Sequence, residues 1–250
     1  MKELGNVLNK LNLLGMKESL DYRLAEGMKS NQSYQDLLML LLEDESLYRE
    51  NRKSEVLRKR AKFRDRVALE EYDFSPNRGV NKSMVKQMQA LRFIDENENI
   101  LFIGGTGAGK SFLAQALGHA ACHAGHETYF VSVNILFSQI AAAEAAGNYL
   151  TLHKKLAQTK LLILDDFALR NYTHHEATLL YQILEERYRK GSTIITSQVK
   201  PKGWKSLYED PVIAEAINDR LVSCAHVIEM NAAVTYRSNY TPKKKMAVDA

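Results

Sequence analysis

The stretch LFIGGTGAGKSFLAQAL, from Leu101 to Leu117, constrains the fold of this chain more than any other. Three apolar residues lead into small ones, and Lys110 and Ser111 are followed by an alternating apolar pattern. The spacing fits G-x-x-x-x-G-K-[ST], which predicts a strand, a tight loop and a helix. Glycines let successive backbone N–H groups converge on a phosphate, and the helix adds its positive N-terminal end. We therefore predict a phosphate-binding loop formed by Gly104, Gly105, Thr106, Gly107, Ala108, Gly109, Lys110 and Ser111.

Carboxylates follow a second apolar run, KLLILDDFAL. We expect Lys110 to reach the β- and γ-phosphates of a bound nucleotide and the Ser111 hydroxyl to ligate Mg²⁺. Asp165 and Asp166 come at the carboxyl end of a buried strand, where open α/β sheets bind ligands. Asp165 is the candidate for the Mg²⁺ shell, and Asp166 is the candidate for positioning and polarising the attacking water.

Further polar candidates come after a third strand and near the end of the chain. The run STIITSQ ends in Ser197 and Gln198, and an amide there would touch the γ-phosphate or the attacking water. Arg220 lies at the end of an apolar-periodic helix and is a candidate arginine finger, and Arg237 is another cation near the end of the core. For either arginine alone, a surface salt bridge is the competing interpretation.

Short apolar runs alternate with longer amphipathic segments beyond about residue 86. This alternation predicts an α/β core over 86–250, with a parallel sheet between helices and five strands in the runs NILFIGG, TYFVSV, LLILDDF, STIITSQ and AHVIEM. Residues 1–71 have helical periodicity throughout, with an interruption expected at Gly15 and a second helix beginning at Ser33. Residues 72–85 contain Pro76 and Gly79 and predict a linker without regular structure.

Basic residues are concentrated between Arg49 and Arg66, where nine are Lys or Arg and three are acidic. Such a run is either a solvated helix face or a helix that contacts nucleic-acid phosphates. On the second interpretation, the DNA-binding candidates are Arg58, Lys59, Arg60 and Arg64.

Composition excludes several other classes of protein. Cys122 and Cys224 are the only cysteines and have neither disulfide-framework nor zinc-site spacing, so we expect a reducing, cytoplasmic location. The longest apolar runs are far shorter than the roughly 20 residues that cross a bilayer, so no membrane partner is expected. A formal charge of +4 says little about nucleic acid by itself.

The ordered motifs GGTGAGKS, LLILDDFAL, TIITSQ, AINDRL and TYRSNY, together with the helical start LNKLNLLGMKESLDYRLAE, resemble the AAA+ ATPases of the DnaC-like group. The resemblance is closest to the IstB-type helper ATPases of transposition. It implies an AAA+ core behind a small all-α domain, and an ATPase that binds ATP with Mg²⁺. Walker A corresponds to Gly104 through Ser111, Walker B to Asp165 and Asp166, sensor 1 to Ser197 or Gln198, the finger acting in trans to Arg220, and sensor 2 to Arg237.

The resemblance also implies partners and a function. The family assembles as a ring or spiral on duplex DNA and recruits and activates its insertion-sequence transposase, so a homo-oligomer, double-stranded DNA and a cognate transposase are the expected partners. ATP hydrolysis would control disassembly. A helical element facing DNA would correspond to FSQIAAAEAAGNYLTLHKKLAQ, with Lys154 and Lys155 as contacts, although an ordinary crossover helix fits it equally well.

Three alternatives remain open at this stage. A replicative helicase loader shares the ATPase core and differs in its partner. A small-molecule P-loop kinase would be a monomer with no use for Arg220 in trans. A DNA-binding scaffold would hold ATP without hydrolysing it, and the Asp-Asp ending of Walker B, in place of the more usual Asp-Glu, keeps this possible.

Overall fold

The computed structural model describes residues 2–74 and 79–231. Backbone contacts divide the chain into two compact units, one formed by Met1–Leu57 with His123–Gly125 and the other by Arg58–Cys122 with His126–Ala250. The division therefore falls earlier than the predicted boundary at residue 71.

The first unit is helical. Its elements are α1 (Lys2–Lys10), α2 (Leu14–Ser30) and most of α3 (Tyr34–Ala61). The break after α1 lies at Asn12, whose φ of +57° is left-handed, and the expected interruption at Gly15 is wrong. Gly15 lies inside α2, where a Cβ would come within 2.8 Å of the Asp44 carbonyl oxygen. Glycine is needed there because α2 and α3 approach closely.

Helix α3 begins where the sequence predicts and ends earlier than its periodicity suggests. The Ser33 hydroxyl accepts a hydrogen bond from the Asp36 backbone N–H at 3.1 Å, which confirms the predicted cap. The helix ends at Ala61 because Lys62 adopts a φ of +60°. The prediction of helical structure through to Glu71 is therefore wrong.

The second unit is built on a five-stranded parallel sheet, as predicted. The strands are β1 (Asn99–Gly104), β2 (Thr128–Ser132), β3 (Leu161–Phe167), β4 (Ser192–Ser197) and β5 (Ala225–Met230), in the order β2-β3-β4-β1-β5. The helices are α4 (Lys82–Gln89), α5 (Arg92–Asp95), α6 (Lys110–His123), α7 (Val133–Ala145), α8 (Tyr149–Gln158), α9 (His174–Arg187), α10 (Pro201–Trp204) and α11 (Pro211–Val222). None of the helices in the described part of the chain has the length and apolarity to cross a membrane.

Helices cover both faces of the sheet. Phe102 and Ile194 pack on one face with α6 residues such as Leu113, whereas Leu101 and Ile195 belong to a second cluster on the other face. Consecutive residues of each strand are thus both buried, which explains the continuous apolar runs in the sequence. Because all strands are parallel, the carboxyl ends of β1, β3 and β4 meet at one edge.

The segment predicted as a linker contributes to the core. Tyr72, Val80 and Val85 are buried in the cluster that contains α6, a 3-10 turn covers Leu69–Glu71, and α4 already begins at Lys82. The Tyr72 ring lies 5.8 Å from that of Phe112. The apolar residues of this segment lie among residues typical of turns, so the local composition did not indicate that they pack into the core.

Candidate functional site

The loop between β1 and α6 has the backbone of a phosphate cradle. Gly107 and Gly109 adopt φ angles of +81° and +94°, which glycine tolerates and other residues rarely do. At Gly104 a Cβ would lie 2.1 Å from the Met230 carbonyl oxygen on β5. Helix α6 begins at Lys110, so its N-terminal end points into the loop.

Lys110 reaches back across this loop. Its Nζ donates hydrogen bonds to the carbonyl oxygens of Gly104 and Gly105, both at 2.8 Å, and the residue is buried. The ammonium is thereby held over the cradle, at the place where phosphate oxygens would be bound.

Ser111 and Asp165 come together directly beside the loop. The Ser111 hydroxyl donates a hydrogen bond to Asp165 Oδ1 at 2.7 Å, and Thr196 donates a second to the same oxygen at 2.6 Å. Asp165 is fully buried, and its Oδ2 accepts no hydrogen bond from any described residue. The structure therefore brings together the two side chains that the sequence predicts for the metal.

A local irregularity in β3 separates the two carboxylates. The pairing of β3 with β4 shifts register between Leu164 and Phe167, and Asp166 has a left-handed φ of +56°. The Asp166 backbone N–H donates to the Thr196 hydroxyl at 3.0 Å. As a result Asp165 lies inside the sheet edge, while Asp166 lines an open cavity of about 370 Å³.

The two residues predicted for sensor 1, Ser197 and Gln198, have different surroundings. Gln198 lines the same cavity, and its Oε1 accepts a hydrogen bond from the Thr106 hydroxyl at 3.0 Å. The Ser197 hydroxyl is buried and donates to the Phe167 carbonyl oxygen at 2.8 Å. Of the two residues, only Gln198 faces the phosphate loop.

The residues fit a nucleotide with its metal. Mg²⁺ prefers oxygen ligands and is usually held by one or two protein groups plus substrate phosphates. Ser111 Oγ and Asp165 Oδ1 supply such oxygens beside the cradle, and Asp165 Oδ2 leaves acceptor capacity unused by hydrogen bonds from the described residues. Ser111 and Asp165 would hold the ion, which would supply positive charge that neutralises the phosphates.

Arg64 does not lie where the basic stretch predicts. Its side chain lines the same cavity beside the phosphate loop as Asp166 and Gln198 do, which we call the phosphate cavity, and Nη1 lies 3.4 Å from Asp165 Oδ2. A DNA-facing role for Arg64 is not supported, because the chain leaves α3 at Lys62 and runs along α6 instead of continuing as a helix.

Arg220 lies at the opposite edge of the sheet from the loop of its own chain. Its carbonyl oxygen accepts a hydrogen bond from Asn99, the first residue of β1. Its Nε donates to Glu185 at 2.6 Å, which lowers the pKa of that carboxyl group. This placement leaves Arg220 no part in its own phosphate site, and a role in a neighbour's site stays a prediction. Arg237 lies outside the described residues.

Basic side chains converge around the buried ring of Tyr129. Lys155 Nζ lies 4.4 Å and Lys62 Nζ 6.0 Å from the ring centroid. Burial, together with the nearby charges of Lys62 and Arg60, lowers the pKa of Lys155. We call Arg60, Lys62 and Lys155 the basic cluster; it joins the end of α3 to α8, two segments that the sequence proposed separately.

The other predicted basic residues have mixed surroundings. Lys59 and Lys154 are exposed near the same elements, whereas Arg58 is half-buried close to α6. Burial, with smaller contributions from the Arg58 and Arg66 charges, lowers the pKa of His119 on that helix. As the sequence suggested, α7 and α8 form a helical element interrupted at Gly147, with φ of +69°.

Three residues of the site were missed or left without a role by the sequence. Thr196 holds Asp165 and Asp166 together, Gln115 binds the chain segment beside α6, and Lys62 belongs to the basic cluster. Gln115 is four residues after Ser111, one helical turn along α6, and that spacing was the available signal.

A parallel sheet with a glycine loop entering a helix, and carboxylates at the end of a nearby strand, defines a P-loop nucleotide-binding fold. Solved structures share this fold. The DnaI crystal structure matches with a TM-score of 0.57 and 20% identity, over 66% of this chain and 91% of that one. The DnaC helicase loader matches with a TM-score of 0.51 and 19% identity, over 66% and 96%.

Sequence comparisons give the family. Residues 6–243 match the model of the IstB-like ATP-binding proteins, and the chain belongs to this family. It is 33% identical to an insertion-sequence ATP-binding protein of Mycobacterium tuberculosis over 97% of this chain and 95% of that protein. It is 36% identical to one from Sinorhizobium fredii, over 90% and 91%, and 30% identical to that of IS21 from Pseudomonas aeruginosa, over 89% and 84%.

Proposed function

We propose that this protein is an ATPase that acts in transposition: it assembles on duplex target DNA with ATP bound, recruits its insertion-sequence transposase, and disassembles when ATP is hydrolysed. The observation that carries the ATPase assignment is the hydrogen bond between Ser111 and Asp165 beside the phosphate loop. Membership among insertion-sequence ATP-binding proteins supports the connection with transposition.

Each residue of the site has a distinct part in hydrolysis. Lys110 and the backbone N–H groups of the loop would bind the phosphates, and Ser111 and Asp165 would hold Mg²⁺. Asp166 lines the cavity next to the loop and orients the water that attacks the γ-phosphorus. Gln198 accepts a hydrogen bond from Thr106, and its amide would contact the γ-phosphate or that water. Thr196 fixes the positions of both aspartates, through the Asp165 carboxylate and the Asp166 backbone N–H.

DNA binding is assigned to the basic cluster. Arg60, Lys62 and Lys155 present positive charge from two elements of the same unit, and positive charges brought close together repel unless an anion lies between them. Duplex phosphates are such anions, and contacts of this kind give affinity with little sequence specificity. A protein that targets many DNA sites needs this kind of binding.

Arg220 is assigned to the active site of a neighbouring copy. It lies away from its own loop and is held by Glu185 and by the rings of Tyr181 and Tyr188, at 5.7 and 5.8 Å. A guanidinium at the γ-phosphate stabilises the charge that develops during transfer. Hydrolysis would then require contact between two subunits.

Mixed subunits test this assignment. Arg220→Ala and Asp166→Asn proteins are each assayed for ATP hydrolysis with duplex DNA, and then as an equal mixture. Each alone is expected to be inactive, and the mixture to regain activity, because some interfaces pair an intact Asp166 with an intact Arg220. An inactive mixture contradicts action in trans. A mixture that stays inactive, with wild-type turnover independent of DNA, favours a small-molecule kinase.

The partner requires a separate experiment, because a helicase loader has the same fold. Full-length tagged protein with ATP and DNA is incubated with either the cognate transposase or the replicative helicase. Capture of the transposase supports the proposal. Capture of the helicase alone overturns the link to transposition and leaves the ATPase assignment intact.

A further inference from the structure

Backbone hydrogen bonds to Gln115 hold Arg64 beside the phosphate site. The N–H groups of Arg64 and Asp65 donate to Gln115 Oε1 at 2.9 and 3.0 Å. Gln115 Nε2 in turn donates to the Ser111 carbonyl oxygen and to Asp65 Oδ2, both at 3.3 Å. Gln115 is buried on α6, so this segment is attached to the helix that carries the predicted metal ligand.

The Arg64 side chain extends from that anchor to the buried carboxylate. Nη1 lies 3.4 Å from Asp165 Oδ2, and the guanidinium carbon lies 5.5 Å from the centroid of the Phe130 ring. The Arg64 side chain is 46% exposed, whereas that of Asp165 is 0% exposed. A carboxylate removed from water is costly unless a charge or hydrogen bonds compensate it, and Arg64 supplies positive charge to the oxygen that lacks hydrogen bonds from the described residues.

We propose that Arg64 is a stand-in for the metal: its guanidinium and Mg²⁺ compete for Asp165, so that loading of the metal with nucleotide requires the Arg64 side chain to move out. Two cations at one carboxylate would lie a few ångströms apart and repel strongly. This inference rests on the proposed nucleotide site, and it adds a residue that sets how much the metal contributes to nucleotide affinity.

The geometry allows the exchange without refolding. Backbone hydrogen bonds to Gln115 fix the start of the side chain, while its exposure leaves the guanidinium free to swing into solvent. In the absence of metal, Arg64 stabilises the buried charge. When Mg²⁺ is present, displacing Arg64 costs part of the binding energy of the metal.

The test measures the dissociation constant of a fluorescent ATP analogue for the full-length protein, in excess Mg²⁺ and in EDTA. The dissociation constant in EDTA divided by that in Mg²⁺ measures how much the metal contributes to nucleotide affinity. In Arg64→Gln this ratio is expected to rise about fivefold over wild type, the size expected for losing one partly exposed competing ion pair. Arg66→Gln removes an exposed charge two residues away and is expected to leave the ratio unchanged.

Each outcome bears on the inference. An unchanged ratio in Arg64→Gln shows that Arg64 does not compete with the metal, and a lower ratio shows that it assists binding; either overturns the proposal. Arg64→Lys keeps the charge but shortens the reach to Asp165, and a smaller rise in the ratio is expected. If wild type binds no nucleotide with or without Mg²⁺, the proposed function itself fails.

Discussion

The hydroxyl of Thr196 bridges the two carboxylate-bearing residues of the site: it donates to Asp165 Oδ1 at 2.6 Å and accepts the Asp166 backbone N–H at 3.0 Å. Thr196 is fully buried at the end of β4. One side chain on a neighbouring strand therefore sets the position of the proposed metal ligand and the direction of the residue proposed to orient the attacking water.

Replacement of Thr196 by valine is expected to lower ATP turnover by about tenfold or more. Valine has nearly the same shape but leaves the Asp166 N–H without its partner, at a cost of about 1–3 kcal/mol. Turnover and the free energy of unfolding in urea are measured together. Thr151→Val, at an exposed site on α8, is the control and is expected to change neither. Full turnover in Thr196→Val would refute the bridging role.

Arg187 stabilises the far edge of the sheet. Its fully buried guanidinium donates to the carbonyl oxygens of Leu156, Thr159 and Ser192 and to the Thr193 hydroxyl. Burial lowers the pKa of Arg187 to about 9, so that it remains charged at neutral pH.

Arg187→Met is expected to lower the free energy of unfolding of the second unit by about 3 kcal/mol, because several buried carbonyl groups lose their donor. Urea unfolding followed by tryptophan fluorescence measures it, since Trp204 is buried in that unit. Arg189→Met, two residues on and exposed, is the control. Equal stability of the two variants would show that these hydrogen bonds contribute little.

The first unit should lose stability in acid through one ion pair. Arg23 donates to both oxygens of Asp44 at 2.9 Å, and the resulting hydrogen bonds hold the pKa of Asp44 at about 2, below its ordinary 3.8. A depressed pKa stabilises the folded state above the ordinary pKa, and this contribution disappears as the pH falls from about 4 to 2.

Amide NMR signals of α2 in the full-length protein, recorded from pH 5 to pH 2, measure this effect. The signals of wild type are expected to lose intensity in that window. Asp44→Asn is expected to be less stable already at pH 5 and to change less on acidification. Asp21→Asn, at an exposed site on α2, should behave as wild type. A wild-type acid transition retained in Asp44→Asn would assign it to other groups.

Neutralising the basic cluster should weaken DNA binding and its salt dependence. The triple variant Arg60→Gln, Lys62→Gln, Lys155→Gln is expected to reduce the slope of log affinity against log salt by about 0.9 for each DNA phosphate that the protein no longer neutralises. Fluorescence anisotropy of a labelled duplex at several salt concentrations measures the slope. Lys200→Gln with Lys205→Gln removes exposed lysines paired with Glu229 and Glu215 and is the control. An unchanged slope in the triple variant would make the cluster an ordinary solvated surface.

The elements that local pattern determines were predictable. The glycine loop and the five strands follow from spacing and from continuous apolar runs, and the structure confirms them. The positions of Ser111 and Asp165 on facing elements followed from the rule that ligands bind at the carboxyl ends of strands. Their hydrogen bond shows that the two side chains meet, and their role as metal ligands stays a prediction.

What the sequence concealed depends on single backbone angles and on contacts between distant segments. The left-handed Lys62 ends α3 and sends Arg64 into the phosphate cavity, although helical periodicity continues past it. In the sequence Thr196 looks like an ordinary strand residue. Its contacts with both aspartates depend on the pairing of β3 with β4 and on the register shift between them. Tyr72 is buried because α6 presents Phe112 to it, which no local pattern indicates.

The central claim is that ATP bound at the loop is hydrolysed in response to DNA. ATP hydrolysis by the full-length protein, measured with and without duplex DNA beside Asp166→Asn, tests it most directly. We expect turnover that rises when DNA is added, and an Asp166→Asn protein that binds ATP as wild type does but does not hydrolyse it. ATP binding without turnover in wild type, even with DNA present, would contradict this claim and identify a scaffold that holds its nucleotide unchanged.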